Sequence, residues 1–298
     1  MQRSIADFHG KCNLIFLPVC GNFRRIRKFL LTAGKPDSII RLLKTLEGCA
    51  KFVEFTYSGY RNLLALLRGN GYAFADYQNW TEKEQCVILR HDIDNSLPDA
   101  ARLGRLEADE GVRSTWFVLL RTDFYNPASA ASSRLIRELH SMGHEIGLHF
   151  DEVAYASAPE CQPGGGVTVD NILREARILS DICGFPIRAV SMHRPSRRTL
   201  DANYDIPGMV NSYGKTFFQD FKYLSDSRRR WREPAEDIIR ARQYKRLHIL
   251  THAFWYRETP EGIADTVGRF IRTANRERYA QMNENLTDLP SVLKESEV

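Results

Sequence analysis

From Cys86 onward the chain alternates short apolar runs with stretches of helical periodicity, and that rhythm restricts the fold more than any other feature. Cys86-Val87-Ile88-Leu89 reads as a strand, residues 98–110 as an amphipathic helix capped by Ser96 and stopped by Gly111, and residues 114–120 as a second strand. A helix with Leu135, Ile136, Leu139 and Met142 on one face ends at Gly143 and leads to a strand over residues 145–150. Pro163-Gly164-Gly165-Gly166 marks a break, residues 170–183 a helix closed by Gly184, and residues 187–192 the next strand. Further strands are expected over residues 209–213, 221–224 and 247–251, and a last helix after Thr259-Pro260. Successive β-α-β units call for parallel strands with right-handed crossovers, hence an α/β fold, either an open sheet or a barrel. Its active site would lie at the carboxyl ends of the strands.

Residues 1–85 read differently. Ile39, Leu42, Leu43 and Leu46, then Tyr60, Leu63, Leu64, Leu66 and Leu67, recur at helical spacing, with Gly69-Asn70-Gly71 as a stop. The expected organisation is a mostly helical lead-in over residues 1–85 and an α/β domain over residues 86–298. The apolar run between Cys12 and Cys20 is too short to span a bilayer and no cleavage site follows it, so a cytoplasmic protein is expected. The basic stretch over residues 23–31 suits a surface helix, with a peripheral membrane contact as the alternative. Six cysteines without C-x-x-C spacing indicate neither a zinc knuckle nor a disulfide framework. The net charge of +5 owes much to arginine, with runs at Arg197-Arg198 and Arg228-Arg229-Arg230 that read as solvated faces, with a phosphate-bearing ligand as the sharper alternative. No nucleic-acid partner is expected, because the basic residues are not interleaved with aromatics.

The expected strand ends supply ionisable groups: His91-Asp92-Ile93-Asp94, His149 with Asp151 and Glu152, His193-Arg194, Asp226, and His252. Asp92 and Asp94, two apart on extended chain, project to the same side, one suited to a hard metal and the other to proton transfer. The same pattern is compatible with a turn whose aspartates cap a helix, or with the D-x-D of a metal-dependent glycosyltransferase. His144 and His149 are one residue too far apart for H-E-x-x-H. His144 sits at a helix end and is expected to satisfy carbonyls there, whereas His149 ends a strand and is the better ligand. His252 ends an apolar strand where a general acid would face a pocket, and His248 would lie deeper with a structural role.

The order of these motifs resembles the polysaccharide deacetylase superfamily, the NodB homology domain, over residues 86–256. Arg90-His91-Asp92-Ile93 falls on its first motif, T-F-D-D, in a variant form with Asp94 as the metal aspartate. The segment from Gly143 to His149 is similar to G-H-E-I-G-x-H, Met192-His193-Arg194-Pro195-Ser196 to the third motif, Asp226 with Trp231 to the fourth, and Leu250-Thr251-His252 to the fifth. Two departures stand out: Ile93 replaces the second aspartate of the first motif, and Val153 stands four after His149, where a second metal histidine is usual.

The resemblance implies a distorted (β/α) barrel and a divalent metal, with zinc the expected ion, held by Asp94, His149 and a third ligand. His193 is preferred for that ligand over Glu152, because it restores one aspartate and two histidines. The implied roles are Asp92 as base, Arg194 holding Asp92 ionised, His252 as acid, and Asp226, Trp231 and Trp255 as substrate contacts. The implied reaction is removal of an acetyl or formyl group from an N-acylated sugar, nucleotide- or lipid-linked, on the way to a surface polysaccharide. The alternatives are the glycosyltransferase and a sugar-binding protein without turnover.

Overall fold

A computed structural model describes residues 54–155 and 169–298, and these fall within one compact unit, Phe52–Val298. The expected features at residues 12–20, 23–31, 39–46 and 163–166 lie outside the described residues. No helix among the described residues is long and apolar enough to cross a membrane.

The expected strands form one parallel sheet. In chain order they are β1 (Ala73–Ala75), β2 (Cys86–Ile93), β3 (Thr115–Leu119), β4 (Glu145–Asp151), β5 (Ala189–His193), β6 (Val210–Asn211), β7 (Lys222–Ser225) and β8 (Arg246–Thr251). The sheet runs β6-β5-β4-β3-β2-β8-β7, with β1 also pairing β2. The named strands pair in parallel throughout, so the residues following β2, β4, β5, β7 and β8 share one face. Between the two edges, Tyr213, Phe218 and Tyr223 pack ring on ring, with centroids 5.2 and 4.7 Å apart. The sheet thereby curls into the expected distorted, open (β/α) barrel.

Helices α1 (Tyr57–Gly69), α2 (Leu97–Asp109), α3 (Ala130–Ser141) and α4 (Val169–Cys183) cover the outer face. Each begins or ends where local chemistry dictates: Ser96 accepts from the Asp99 amide at the start of α2, and Gly111, at φ 68°, supplies the left-handed turn after it. Helix α1 and β1 lie within the stretch expected as lead-in, yet β1 joins the sheet through β2. The last long helix starts at Ile263 rather than beside Pro260, with the Asp265 carboxylate accepting from the Gly262 amide at 3.2 Å. Glu261, just before it, is tied to Arg257, Thr266 and Arg269, which holds the chain extended one turn longer than the proline suggested.

Strand alternation sorts the side chains into two environments. Outward residues such as Val87, Leu89, Val118, Leu148 and Val190 meet the helices in the larger core cluster. Inward residues fill the barrel in layers. At the bottom, Tyr77, Cys86, Ile88, Phe117, Phe217 and Phe221 form an apolar plug. His248 lies within it, bonded to the Tyr77 hydroxyl at 2.8 Å, and the apolar burial lowers its pKa to about 3, in keeping with the structural role expected of it. A Cβ at Gly147 would stand 2.5 Å from the Phe117 ring, so this inward position of β4 excludes a side chain. Higher up the layers become polar.

Candidate active site

The first polar layer is set by Arg90. It shares its parity on β2 with Asp92, so both point into the barrel. The Arg90 guanidinium lies over the rings of Tyr213 and Phe117, with its carbon 4.8 and 5.4 Å from their centroids. It donates to Asp92 Oδ2 at 2.8 Å, to Ser191 Oγ at 2.6 Å and to Ser212 Oγ at 3.1 Å. Ser191 in turn donates to Asp92 Oδ1 at 3.3 Å. Burial works to raise the Asp92 carboxyl, but the Arg90 charge, aided by His149 and His252, brings it below the usual carboxylate range. Arg194 therefore does not hold Asp92. Its side chain is 63% exposed and pairs with Asp151 at 2.6 Å, because Arg194 itself adopts a left-handed backbone, φ 50°, that swings it to the rim.

The second layer is at the mouth. Asp94 follows β2, His149 lies near the end of β4 and His193 ends β5, and strand pairing brings β4 and β5 side by side. His149 Nε2 stands 3.2 Å and His193 Nδ1 3.4 Å from Asp94 Oδ1, and the two imidazole nitrogens are 3.1 Å apart. One ligand atom from each residue lies within 4.8 Å of the others. Burial would raise the Asp94 carboxyl, yet the facing imidazoles of His149 and His193 hold it well below its ordinary value. Asp94 Oδ1 and His149 Nδ1 are nevertheless buried without a hydrogen-bond partner among the described residues. Three donor atoms crowding one point, one of them a carboxylate oxygen with no hydrogen to accept, form an arrangement that a shared cation satisfies. One carboxylate and two imidazoles is also the ligand chemistry of zinc-type sites. The residues thus fit a divalent metal.

Glu152, the alternative third ligand, is elsewhere: it accepts from the Ser196 amide at 2.5 Å and from the Thr199 hydroxyl, capping the short helix Arg197–Ala202. Tyr125, in the loop after β3, steadies the mouth by donating to the Ile93 carbonyl at 2.7 Å while accepting from the Leu119 amide at 2.9 Å, so Asp94 follows a fixed chain end.

His252 completes the mouth, its Nε2 3.8 Å from Asp94 Oδ2. Behind it, Asp226 accepts from His252 Nδ1 at 2.6 Å and from the His252 amide at 3.0 Å. Asp226 is fully buried under the imidazole, so the expected substrate contact is instead the partner that orients His252 and fixes which ring nitrogen faces the opening. Burial opposes charge on His252, but Asp226 first, then Asp94 and Asp92, raise its pKa to about 9. Trp231 is buried after the same loop, and Trp255 is half-buried against Phe254.

His144, expected to satisfy carbonyls at its own helix end, instead reaches the Gly104 carbonyl of α2, with Nε2 at 2.9 Å. Two residues of consequence were missed. Arg90 had a readable signal, an arginine inside an apolar strand at the parity of Asp92. Glu107, fully buried on α2, occupies the helix's apolar stripe at helical spacing from Ala100 and Leu103, where an acid demands a partner.

No protein-family model matches the chain, and no curated protein matches it. Among solved structures it is similar to a family 4 carbohydrate esterase from Bacillus anthracis, at 15% identity and TM-score 0.37, covering 70% of this chain and 81% of that one. A family 4 esterase from Streptococcus mutans is similar at 16% identity and TM-score 0.41, covering 62% and 82%. A family 4 pseudoenzyme from Bacillus anthracis is similar at 13% identity and TM-score 0.35, covering 64% and 62%. These likenesses are faint, and the barrel described above rests on its own sheet order and register.

Proposed function

We propose that this chain is a metal-dependent hydrolase of the polysaccharide deacetylase type that removes an acetyl or formyl group from the nitrogen of a sugar. The observation that carries this reading is the convergence of Asp94, His149 and His193 at the barrel mouth. These three residues would hold the ion. When bound, a divalent metal polarises an acyl oxygen and lowers the pKa of water to about 7. Asp92, kept ionised by Arg90 and Ser191, accepts the proton of the attacking water. His252, kept protonated by Asp226, gives a proton to the departing amine. The two carboxylates thus have separate duties, and a base held low stands apart from an acid held high, as acid–base catalysis of amide cleavage requires.

The glycosyltransferase reading needs both Asp92 and Asp94 free for a metal and a diphosphate, and the engagement of Asp92 by Arg90 speaks against it. The sugar, on this proposal, is a nucleotide- or lipid-linked precursor of a surface polysaccharide, and the ion is zinc.

Release of acetate from an N-acetylated sugar with no nucleotide donor consumed is the expected outcome. Asp92→Asn is expected to keep the metal and lose hydrolysis, and Asp94→Asn to lose both. Equal loss of metal from the two variants would defeat the division of roles, and sugar binding with neither metal nor product would leave a non-catalytic protein.

A further inference from the structure

The loop after β7 carries two consecutive arginines with left-handed backbone, Arg228 at φ 60° and Arg229 at φ 55°. Side chains with a Cβ are disfavoured there, and glycine or asparagine is the usual occupant. Strain that persists beside a candidate active site raises the question of what each side chain does in return. For Arg229 the answer is internal: it donates to the Glu261 carbonyl and lies over the Phe55 ring, its guanidinium carbon 5.4 Å from the centroid, which ties the loop down. Arg228 has no such task. It is exposed, as are Arg230 and Arg232, and none of the three side chains meets a partner among the described residues.

The loop holding them is well fixed. The Asp226 carbonyl accepts from the Arg230 amide at 3.0 Å, Ser227 donates its amide to Ser225 Oγ at 3.1 Å, and Trp231 is buried at the far end. It starts at the aspartate that orients His252, on the flank where a departing amine, and so the sugar bearing it, would lie. The geometry points to a phosphate-binding subsite made by Arg228 and Arg230, taking a diphosphate group attached to the sugar. Planar guanidinium forks match phosphate oxygens in pairs, and a fixed loop loses little freedom when they engage. The sugar in this inference rests on the hydrolase reading, whereas the anion does not. A nucleoside diphosphate and a lipid diphosphate share the recognised chemistry.

The test is calorimetric binding of inorganic pyrophosphate to the whole chain without added metal. Arg228→Gln with Arg230→Gln is expected to weaken it about tenfold or more, since two charge-assisted contacts are lost. Arg272→Gln with Arg276→Gln, the same charge removed from the exposed face of the C-terminal helix, is expected to leave it unchanged. Arg228→Gly suits the left-handed turn, so it is expected to lose affinity while keeping or raising the melting temperature. No binding by the unaltered chain, equal weakening by both double variants, or full affinity in Arg228→Gly would overturn the subsite. Uridine diphosphate and geranyl diphosphate run in parallel distinguish the sources: the tighter binder names the carrier, and equal affinity leaves the diphosphate alone as the recognised group. Because no turnover is read, a failure of the hydrolase proposal would not erase this binding. Conversely, acetate release from an uncharged N-acetylated sugar is read separately on the unaltered chain, so release without any pyrophosphate binding would remove the subsite and leave the hydrolase standing.

Discussion

Two clusters of histidine and carboxylate lie on opposite faces of β2. The inner one, at the barrel mouth, gathers Asp92, Asp94, His149, His193 and His252. The outer one, between the sheet and the helices, gathers His91, Glu107 and His144 with Tyr60 and Ser114. In the outer cluster Glu107 Oε1 accepts from Tyr60 at 2.5 Å and lies 3.0 Å from His91 Nε2, while Oε2 accepts from Ser114 at 2.5 Å. His91 Nδ1 meets Thr251 Oγ1 at 2.7 Å, and its ring stacks on Trp116 with centroids 3.9 Å apart. Both carboxylate oxygens of Glu107 are thus supplied, and the whole group is buried. In the inner cluster Asp94 is 27%, His193 18% and His252 13% exposed at the side chain, and Asp94 Oδ1 has no donor. The same residue types therefore do opposite things. A network with every group satisfied specifies structure, and one left open at its mouth is available to a ligand.

The contrast breaks first, if it breaks, at His252. His252→Ala is expected to lower kcat on an amide substrate about a hundredfold to ten-thousandfold with little change in KM, since a general acid acts chiefly in the transition state. Stability is expected to fall as well, because the buried Asp226 carboxylate loses its imidazole partner, so kcat is read at a temperature where the variant is folded. An unchanged kcat would remove His252 from the chemistry; an activated ester, whose leaving group needs no proton, serves as the control that should stay near the original rate.

The outer cluster should behave the other way round. Glu107→Leu takes one partner from His91, Tyr60 and Ser114 at once in a dry site, and a loss of about 3–5 kcal/mol in stability is expected. Denaturant unfolding measures it. Variant that remains folded at low temperature should bind metal as the original chain does, and a loss of metal parallel to the loss of stability would show that the two clusters are not separate.

How much of this was legible in the sequence follows the same division. The strands are readable because their apolar runs are buried on both faces, and the expected strand ends carry Asp92, Asp94, His149, His193 and His252. What could not be read was pairing across the barrel. Arg194 follows a strand as the third motif suggests, but its backbone turns left-handed at φ 50°, so its charge goes to Asp151 and Arg90 takes the position beside Asp92. The fourth motif points Asp226 at the substrate, whereas it lies buried beneath His252, because depth in the barrel is not written in a motif. Glu107 lies in a segment of ordinary helical appearance, and only its place on the apolar stripe distinguishes it from a surface acid.

The third way to sharpen the comparison is the metal. Loss of a ligand should exceed the tenfold to hundredfold or so that changes outside the ligand shell cost. His193→Ala is expected to weaken zinc binding by at least that factor and Glu152→Ala to leave it intact, since Glu152 is spent on the Ser196 amide and the Thr199 hydroxyl. Zinc titration against a competing chelator reads both, and tight binding kept by the first variant and lost by the second would reverse the assignment.

The smallest expected effect is the pH dependence that the outer cluster gives to stability. Burial pushes the pKa of His144 below the ordinary imidazole value of 6.5, with Glu107 opposing it only in part. Burial would raise Glu107, but His91, by charge and by hydrogen bond, brings it below its ordinary 4.5. Both groups therefore bind protons more readily in the unfolded chain, so each contributes stability that is complete above its unfolded value and falls as the pH drops toward its folded value. Stability should begin to decline as the pH falls past 6.5 through His144, and decline further below 4.5 through Glu107. His144→Gln keeps a donor for the Gly104 carbonyl and cannot titrate, so it should flatten the upper part of the decline and leave the lower part in place. Melting temperatures recorded from pH 8 down to about pH 4 in metal-free protein test this. An unchanged upper limb in His144→Gln would rule His144 out as its origin.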